Sequence, residues 1–310
     1  MAAYTTDDLV TSVKRRILMP SSQQTFLPAD ILAVANEELL TEIVGIILGN
    51  REEYLVSAIP YDQATGVGFT YRFPPRALFE RLRDVLVLDS GGTMRALARI
   101  GPEEATYFNA AGGNPIGFYL KGNQLVMVPA LSGSIGTLRM SYYLRPNTLV
   151  PVASCGKIGF INYASAAITF TGSPPNFNVN QSYDLISNTP GFDLISMDLQ
   201  VISAGSTAIT FFVSSLPQTL QIGDWVCLSG TSPIPQIPLE MHPILYQRTA
   251  MKVLEAMGDA DGFARAAGVY EAMKTEVLKH LSPRVTGKAK KIINSNSLAS
   301  NIMGGRRYWP

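Results

Sequence analysis

Both ends of this chain carry helical stripes, and the long middle carries none. That asymmetry limits what the chain can fold into more than any motif does. At the start, Leu9, Val13 and Ile17 recur at helical spacing after Thr5-Thr6-Asp7-Asp8, which supplies capping hydroxyls and first-turn acids. Pro20 ends the run, and Pro28 and Asp30 open a longer helix. Its stripe is Ile31, Val34, Ala35, Leu39, Ile43, Ile46 and Ile47, and Gly49-Asn50 is a natural stop. At the other end, Pro243 suits a first turn, followed by Ile244, Leu245, Met251, Leu254 and Met257. Gly258-Asp259 breaks the helix, and Asp259 or Asp261 can cap the next. That helix carries Phe263, Ala266, Ala267, Tyr270, Val277 and Leu281, and Pro283 ends it.

Between the ends the period shortens. Leu138, Met140, Tyr142 and Leu144 alternate with Arg139, Ser141, Tyr143 and Arg145, the pattern of a strand with one buried face. Gly122-Asn123, between Phe118–Lys121 and Gln124–Val128, reads as a two-residue hairpin turn. Tyr54–Ile59, Thr70–Phe73 and Asp84–Leu88 are further strand candidates, and 76–83 reads as a short helix. Ala167-Ile168-Thr169-Phe170 and Ala208-Ile209-Thr210-Phe211 echo each other, which is either chance or the trace of two similar β units.

A lone helical hairpin buries its stripe poorly, so the two end pairs are expected to share one core. The expected fold is α+β. A helical bundle of 1–50 plus 238–282 carries an inserted β-rich, sandwich- or barrel-like region, 51–237, and an extended basic arm, 283–310. The competing arrangement is three serial domains, helical, β and helical.

Chemistry is sparse. No phosphate-cradling Gly-rich loop or Gly-x-Ser-x-Gly elbow occurs, and His242 and His280 are the sole histidines. Glu37/Glu38, Glu52/Glu53 and Glu103/Glu104 are adjacent pairs, which on a helix point apart. Cys155 and Cys227 are too few and too distant for a disulfide framework or a zinc site. A catalytic role, a cofactor and a metal are not expected. No secretion signal or membrane span is visible, which leads to the expectation of a soluble chain made in the cytoplasm.

Two features resist a bland reading. Charged residues are 16% of the chain, against about a quarter in ordinary domains. From Pro146 to Leu239 the charged side chains are Lys157, Asp184, Asp193, Asp198 and Asp224 alone, amid Ser, Thr, Asn and Gln. Such a surface is poorly guarded against association. The second feature is the tail. From Lys279 onward there are seven Lys or Arg and no acid, within a chain of net charge +1. Lys288, Lys290, Lys291, Arg306, Arg307, Tyr308 and Trp309 are the candidate partner-binding residues, since Arg and aromatics are the usual interface anchors. Fully extended, the segment after Ser282 reaches roughly 90 Å. It suits an acidic protein groove, or nucleic acid through charge and stacking.

Several phrases resemble the head-to-tail adaptor (connector ring) proteins of tailed bacteriophages. They are Asp7-Asp8-Leu9-Val10, Phe26-Leu27-Pro28, Tyr71-Arg72-Phe73-Pro74-Pro75-Arg76-Ala77, Phe118-Tyr119-Leu120-Lys121-Gly122-Asn123, Leu138-Arg139-Met140-Ser141-Tyr142-Tyr143, Arg145-Pro146-Asn147 and Ile237-Pro238-Leu239-Glu240-Met241-His242-Pro243. The resemblance implies a homo-oligomeric ring, commonly of twelve copies, in the virion neck between head and tail. It implies a helical ring wall, a C-terminal arm docked on the portal protein, a tail tube or nozzle protein on the other face, and a lumen through which DNA passes without sequence recognition. The long β insertion departs from the smaller members of that family. An alternative is a β-rich receptor- or carbohydrate-binding module of a virion. Tyr183, Phe192 and Trp225 would then be either stacking platforms or core aromatics.

Overall fold

The structure is a computed structural model that describes residues 4–19, 26–64, 68–89, 92–108, 114–131, 136–172, 174–205, 207–212 and 215–281. The chain is α+β. It opens with α1 (Thr6–Arg16), whose first turn is closed by a capping box. The Thr5 hydroxyl accepts from the Asp8 amide at 3.4 Å, and Asp8 accepts from the Thr5 amide at 3.0 Å. α2 (Pro28–Glu38) runs through a π turn (Leu39–Ile43) into α3 (Val44–Asn50). Ile31, Ala35, Leu39, Ile43 and Ile47 are all buried. Their strict four-residue spacing drifts about 40° per step on an ideal α-helix. The wider π turn winds the chain less per residue and brings the stripe back onto one line.

After α3 comes a 3₁₀ turn (Glu52–Leu55), where strand-forming residues suggest a strand. Only Val56 bridges a sheet there, to Tyr143. Next come β1 (Tyr61–Ala64), β2 (Gly68–Arg72), β3 (Ala77–Asp89), β4 (Met94–Ala96), β5 (Ala98–Arg99), α4 (Pro102–Ala105), β6 (Gly117–Lys121), β7 (Gln124–Leu131) and β8 (Gly136–Leu144). They form two four-stranded sheets, β1-β8-β3-β4 and β2-β7-β6-β5. Val85, Val87, Leu138 and Met140 from one sheet meet Tyr71, Phe118, Leu125 and Met127 from the other in one apolar layer. The β6–β7 hairpin turns at Gly122 (φ 55°) with Lys121 opposite Gln124, as the sequence suggests.

The helix expected over 76–83 is instead the first half of β3. The apolar spacing there mimics a helix because the strand carries a large bulge. Ala77 pairs with Leu144 and Leu82 with Tyr142, so residues 78–81 have no counterparts on β8. Phe79 and Glu80 sit in the left-handed region at φ 49° and 55°. Arg81 lies 4.6 Å over the Tyr143 ring and pairs with Glu52 at 3.2 Å.

The chain continues through β9 (Thr148–Leu149), β10 (Gly156–Asn162), β11 (Ala167–Phe170), β12 (Ser182–Ile186), β13 (Leu194–Ala204), β14 (Ala208–Phe211), β15 (Trp225–Leu228) and β16 (Thr231–Ser232). Six of these close into a barrel in the order β10-β11-β14-β13-β12-β15. Replacing β10, β11 and β12 by β13, β14 and β15 leaves that circle unchanged. The barrel is therefore two three-strand units about a pseudo-twofold axis. The echoing segments are β11 and β14 themselves, paired with Ile168 opposite Ile209. Their neighbours share a bulge at the matching place. Ile158 faces Phe170 and Phe160 faces Thr169, while Val201 faces Phe211 and Ser203 faces Thr210. Chance repetition of four residues would not reproduce the pairing, the bulge and the circuit together. Ile158, Ile168, Phe170, Leu185, Val201, Ile209, Phe211 and Val226 fill the interior.

α5 (His242–Met257) ends at Gly258, whose φ of 74° makes the left-handed cap. α6 (Ala260–His280) starts at Asp259, which accepts from the Gly262 amide at 2.8 Å. Leu9, Val13, Ile31, Leu39 and Ile43 lie in the same buried cluster as Ile244, Leu245, Val253 and Tyr270.

Candidate interaction surfaces

Polar ties reinforce that shared interior. The Tyr270 hydroxyl donates to Glu42 Oε1 at 2.7 Å, and Lys274 Nζ donates to the same oxygen at 2.7 Å. The Lys274 and Tyr270 hydrogen bonds hold the Glu42 carboxyl below its usual range. One turn earlier, Arg248 Nε pairs with Glu38 Oε2 at 2.6 Å, and its guanidinium lies 5.4 Å over the Tyr270 ring. α2, the π turn, α5 and α6 are thus joined by two charged side chains from each end of the chain, Glu38 and Glu42 with Arg248 and Lys274, at the rim of an apolar core. Lys274, a polar interruption of the α6 stripe, earns its place through Glu42.

A second polar cluster joins sandwich to barrel. Asp184 on β12 is fully buried. Its Oδ2 accepts from Arg76 Nη1 at 2.6 Å and its Oδ1 from Arg76 Nη2 at 2.9 Å. Asn147 Nδ2 (3.0 Å), the Gly230 amide (2.9 Å) and the Asp198 amide (3.1 Å) complete the carboxylate's shell. Arg76 Nη2 also reaches Asp198 Oδ1 at 3.0 Å. This is a bidentate arginine–carboxylate pair with its remaining lone pairs filled, the condition under which a buried ion pair is tolerated. It went unread in the sequence. The available signal was an acid set among strand formers, Tyr183-Asp184-Leu185-Ile186.

Of the residues singled out for chemistry, Cys155 and Cys227 are neighbours in one buried cluster, while the two histidines sit in different settings. His242 is fully buried, ringed by Tyr4 at 5.0 Å and Phe192 at 5.2 Å. Neither ring nitrogen has a hydrogen-bond partner among the described residues, and burial pulls its pKa down to about 4. His280 is largely exposed beside Glu276 at 3.5 Å. Cys155 and Cys227 are free and buried, and burial pushes the Cys227 thiol well up, away from the thiolate. Among the described residues, no cluster of His, Cys, Asp and Glu could hold a metal ion. Also among them, no helix is long and apolar enough to cross a membrane. Tyr183, Phe192 and Trp225 are at most 5% exposed, so they are core aromatics and not platforms for a sugar. Lys288, Lys290, Lys291, Arg306, Arg307, Tyr308 and Trp309 lie outside the described residues, as does the expected arm, 283–310.

The barrel's outer wall stands out for what it lacks. Residues 158–183 and 199–223 contain no Lys, Arg, Asp, Glu or His. Within those runs the outward positions on β10, β11, β14 and β13 are Phe160, Asn162, Thr169, Thr210, Ser203 and Gln200, none of them buried; Lys157 on β10 and Asp198 on β13 are exposed just outside them. Phe160, Ile202 and Phe212 are 59%, 50% and 58% exposed. No family model matches the chain, and no curated protein matches its sequence.

Proposed function

We propose that the chain is a structural ring adaptor of the virion neck, lying between the portal and the tail of a tailed phage. In this reading the end helices form one bundle, the β-rich region is an insertion into it, and several copies, twelve in the implied ring, surround a lumen for DNA. The basic, aromatic-ended arm docks on the portal protein, and a tail tube or nozzle protein binds the opposite face. The observation that carries the reading is the common core of α1, α2 and α3 with α5 and α6, locked by Tyr270 and Lys274 on Glu42. It makes a firm body to which a cationic segment of 28 residues, 283–310, is joined. The sparse charge of the barrel wall fits a subunit that spends its working life against neighbours.

Deleting 283–310 tests the docking role. The shortened chain should keep its circular dichroism and melting temperature and lose binding to a purified portal ring. Undiminished binding by the shortened chain would remove the arm from the interface.

A further inference from the structure

The barrel wall formed by β10, β11, β14 and β13 is uncharged over 158–162, 167–170, 199–204 and 208–212 and keeps Phe160, Ile202 and Phe212 in water, while Lys157 on β10 and Asp198 on β13 are exposed charges beyond those runs. Depletion of charge with exposed aromatics is the compositional mark of the centre of a protein–protein contact. We infer that this wall is a self-association face, which packs against the same wall of a second copy of the chain.

The occupant follows from charge. A partner that brought ions to this wall would bury them unpaired, at a cost of several kcal/mol each. That disfavours the chain's own arm with its cations, and equally disfavours nucleic acid, whose phosphates would meet a single cation on these strands, Lys157. The partner surface must itself be neutral. Among the described residues elsewhere, Ile116, Val179 and Leu228 are exposed apolar side chains without charged neighbours in sequence, but they stand singly, and several others do have such neighbours. Phe79 adjoins Glu80 and Arg81, Tyr107 follows Glu103 and Glu104, and Met257 lies between Glu255 and Asp259. The wall therefore finds its best match in another copy of itself. A face that meets itself closes a pair, whereas a ring needs two different patches in contact. The inference goes beyond the ring reading and stands or falls separately from it.

The size of the face sets the strength. Four strands about 4.8 Å apart and five to six residues long cover roughly 350 Å² in plan. A standard interface takes about 800 Å² from each partner. Pairing is accordingly weak, with a dissociation constant on the order of 10–100 µM.

Sedimentation of the full chain between ~1 and 300 µM should show a monomer–dimer equilibrium. Thr169→Glu with Thr210→Glu places two carboxylates on the wall's central strands and should weaken pairing more than tenfold without altering the monomer's melting temperature. Cysteine cross-linking gives an independent reading that tolerates a folding defect in the charged variant. Cys155 and Cys227 are buried, so Thr169→Cys or Thr210→Cys supplies a lone accessible thiol. Mild oxidation should trap disulfide-linked dimers at these sites and not at Lys252→Cys on α5. A chain that stays monomeric at 300 µM, or a dimer untouched by the glutamates and not cross-linked at these sites, overturns the inference. Saturable binding of a neutral glycan to a monomeric chain, lost in the glutamate variant, overturns it in favour of a sugar. Rings that form on the portal while the free chain never pairs leave the adaptor reading intact and refute this one.

Discussion

Replacing Arg76 by Met removes the cation from the buried cluster and keeps the aliphatic stem. Asp184 would remain fully buried with three donors, Asn147 Nδ2, the Gly230 amide and the Asp198 amide, and no positive partner. Breaking a buried ion pair from one side costs about 3–5 kcal/mol. The three surviving hydrogen bonds place this case at the low end, about 3 kcal/mol. Asp198 loses its cation too, but its side chain is half-exposed and adds little. At about 2–4 °C per kcal/mol, the melting temperature should fall by ~6–12 °C, measured by calorimetry and urea titration. The double-mutant cycle with Asp184→Asn should return a coupling of about 2 kcal/mol, because the pair contributes as a pair. A drop below 2 °C, or coupling near zero, would refute the claim that this bidentate pair fastens sandwich to barrel.

Three further outcomes follow from the same physics. His242 is buried neutral with its pKa near 4, against about 6.5 when unfolded, so the unfolded chain binds the extra proton between those values. Its contribution is complete above pH ~6.5 and declines toward pH 4; at pH 5 the loss is about 2 kcal/mol, and His242→Phe should flatten the urea midpoints between pH 7 and 5. Glu42 runs the opposite way in origin: its carboxylate is favoured in the folded chain, so its stabilisation holds above the unfolded pKa and disappears as pH falls through the lower folded value. Glu42→Gln should lower stability at pH 7 by about 1 kcal/mol, with no difference from the parent at pH ~2, as read from unfolding curves at the two pH values. Ile43→Ala opens a cavity where the π turn meets the core and should cost about 3 kcal/mol in a urea titration, while Leu40→Ala, on the exposed side, should cost under 1.

The helices were readable because their signals are local. Caps at Thr5 and Asp259, prolines at 28 and 243, and stripes of period near four all report on nearest neighbours along the chain. The β6–β7 hairpin was readable for the same reason, through Gly122. The β3 bulge was not, because residues 78–81 are pushed out by the register of β8, more than fifty residues downstream. Nor was the Arg76–Asp184 pair, whose partners lie 108 residues apart. The barrel's symmetry lay in between. Its trace was visible in Ala-Ile-Thr-Phe written twice, but its meaning depended on the pairing of β11 with β14. Of the site, the missing charge was legible from composition; that the uncharged residues form one continuous wall was not, since it depends on the barrel circuit.

The adaptor reading is tested most directly by the mass of the full chain mixed with a purified portal ring, measured by native mass spectrometry. The account predicts one dominant complex, heavier than the portal by a fixed whole number of chains that matches the portal's own symmetry. A portal of unchanged mass, with the chain recovered unbound at every ratio, would contradict it.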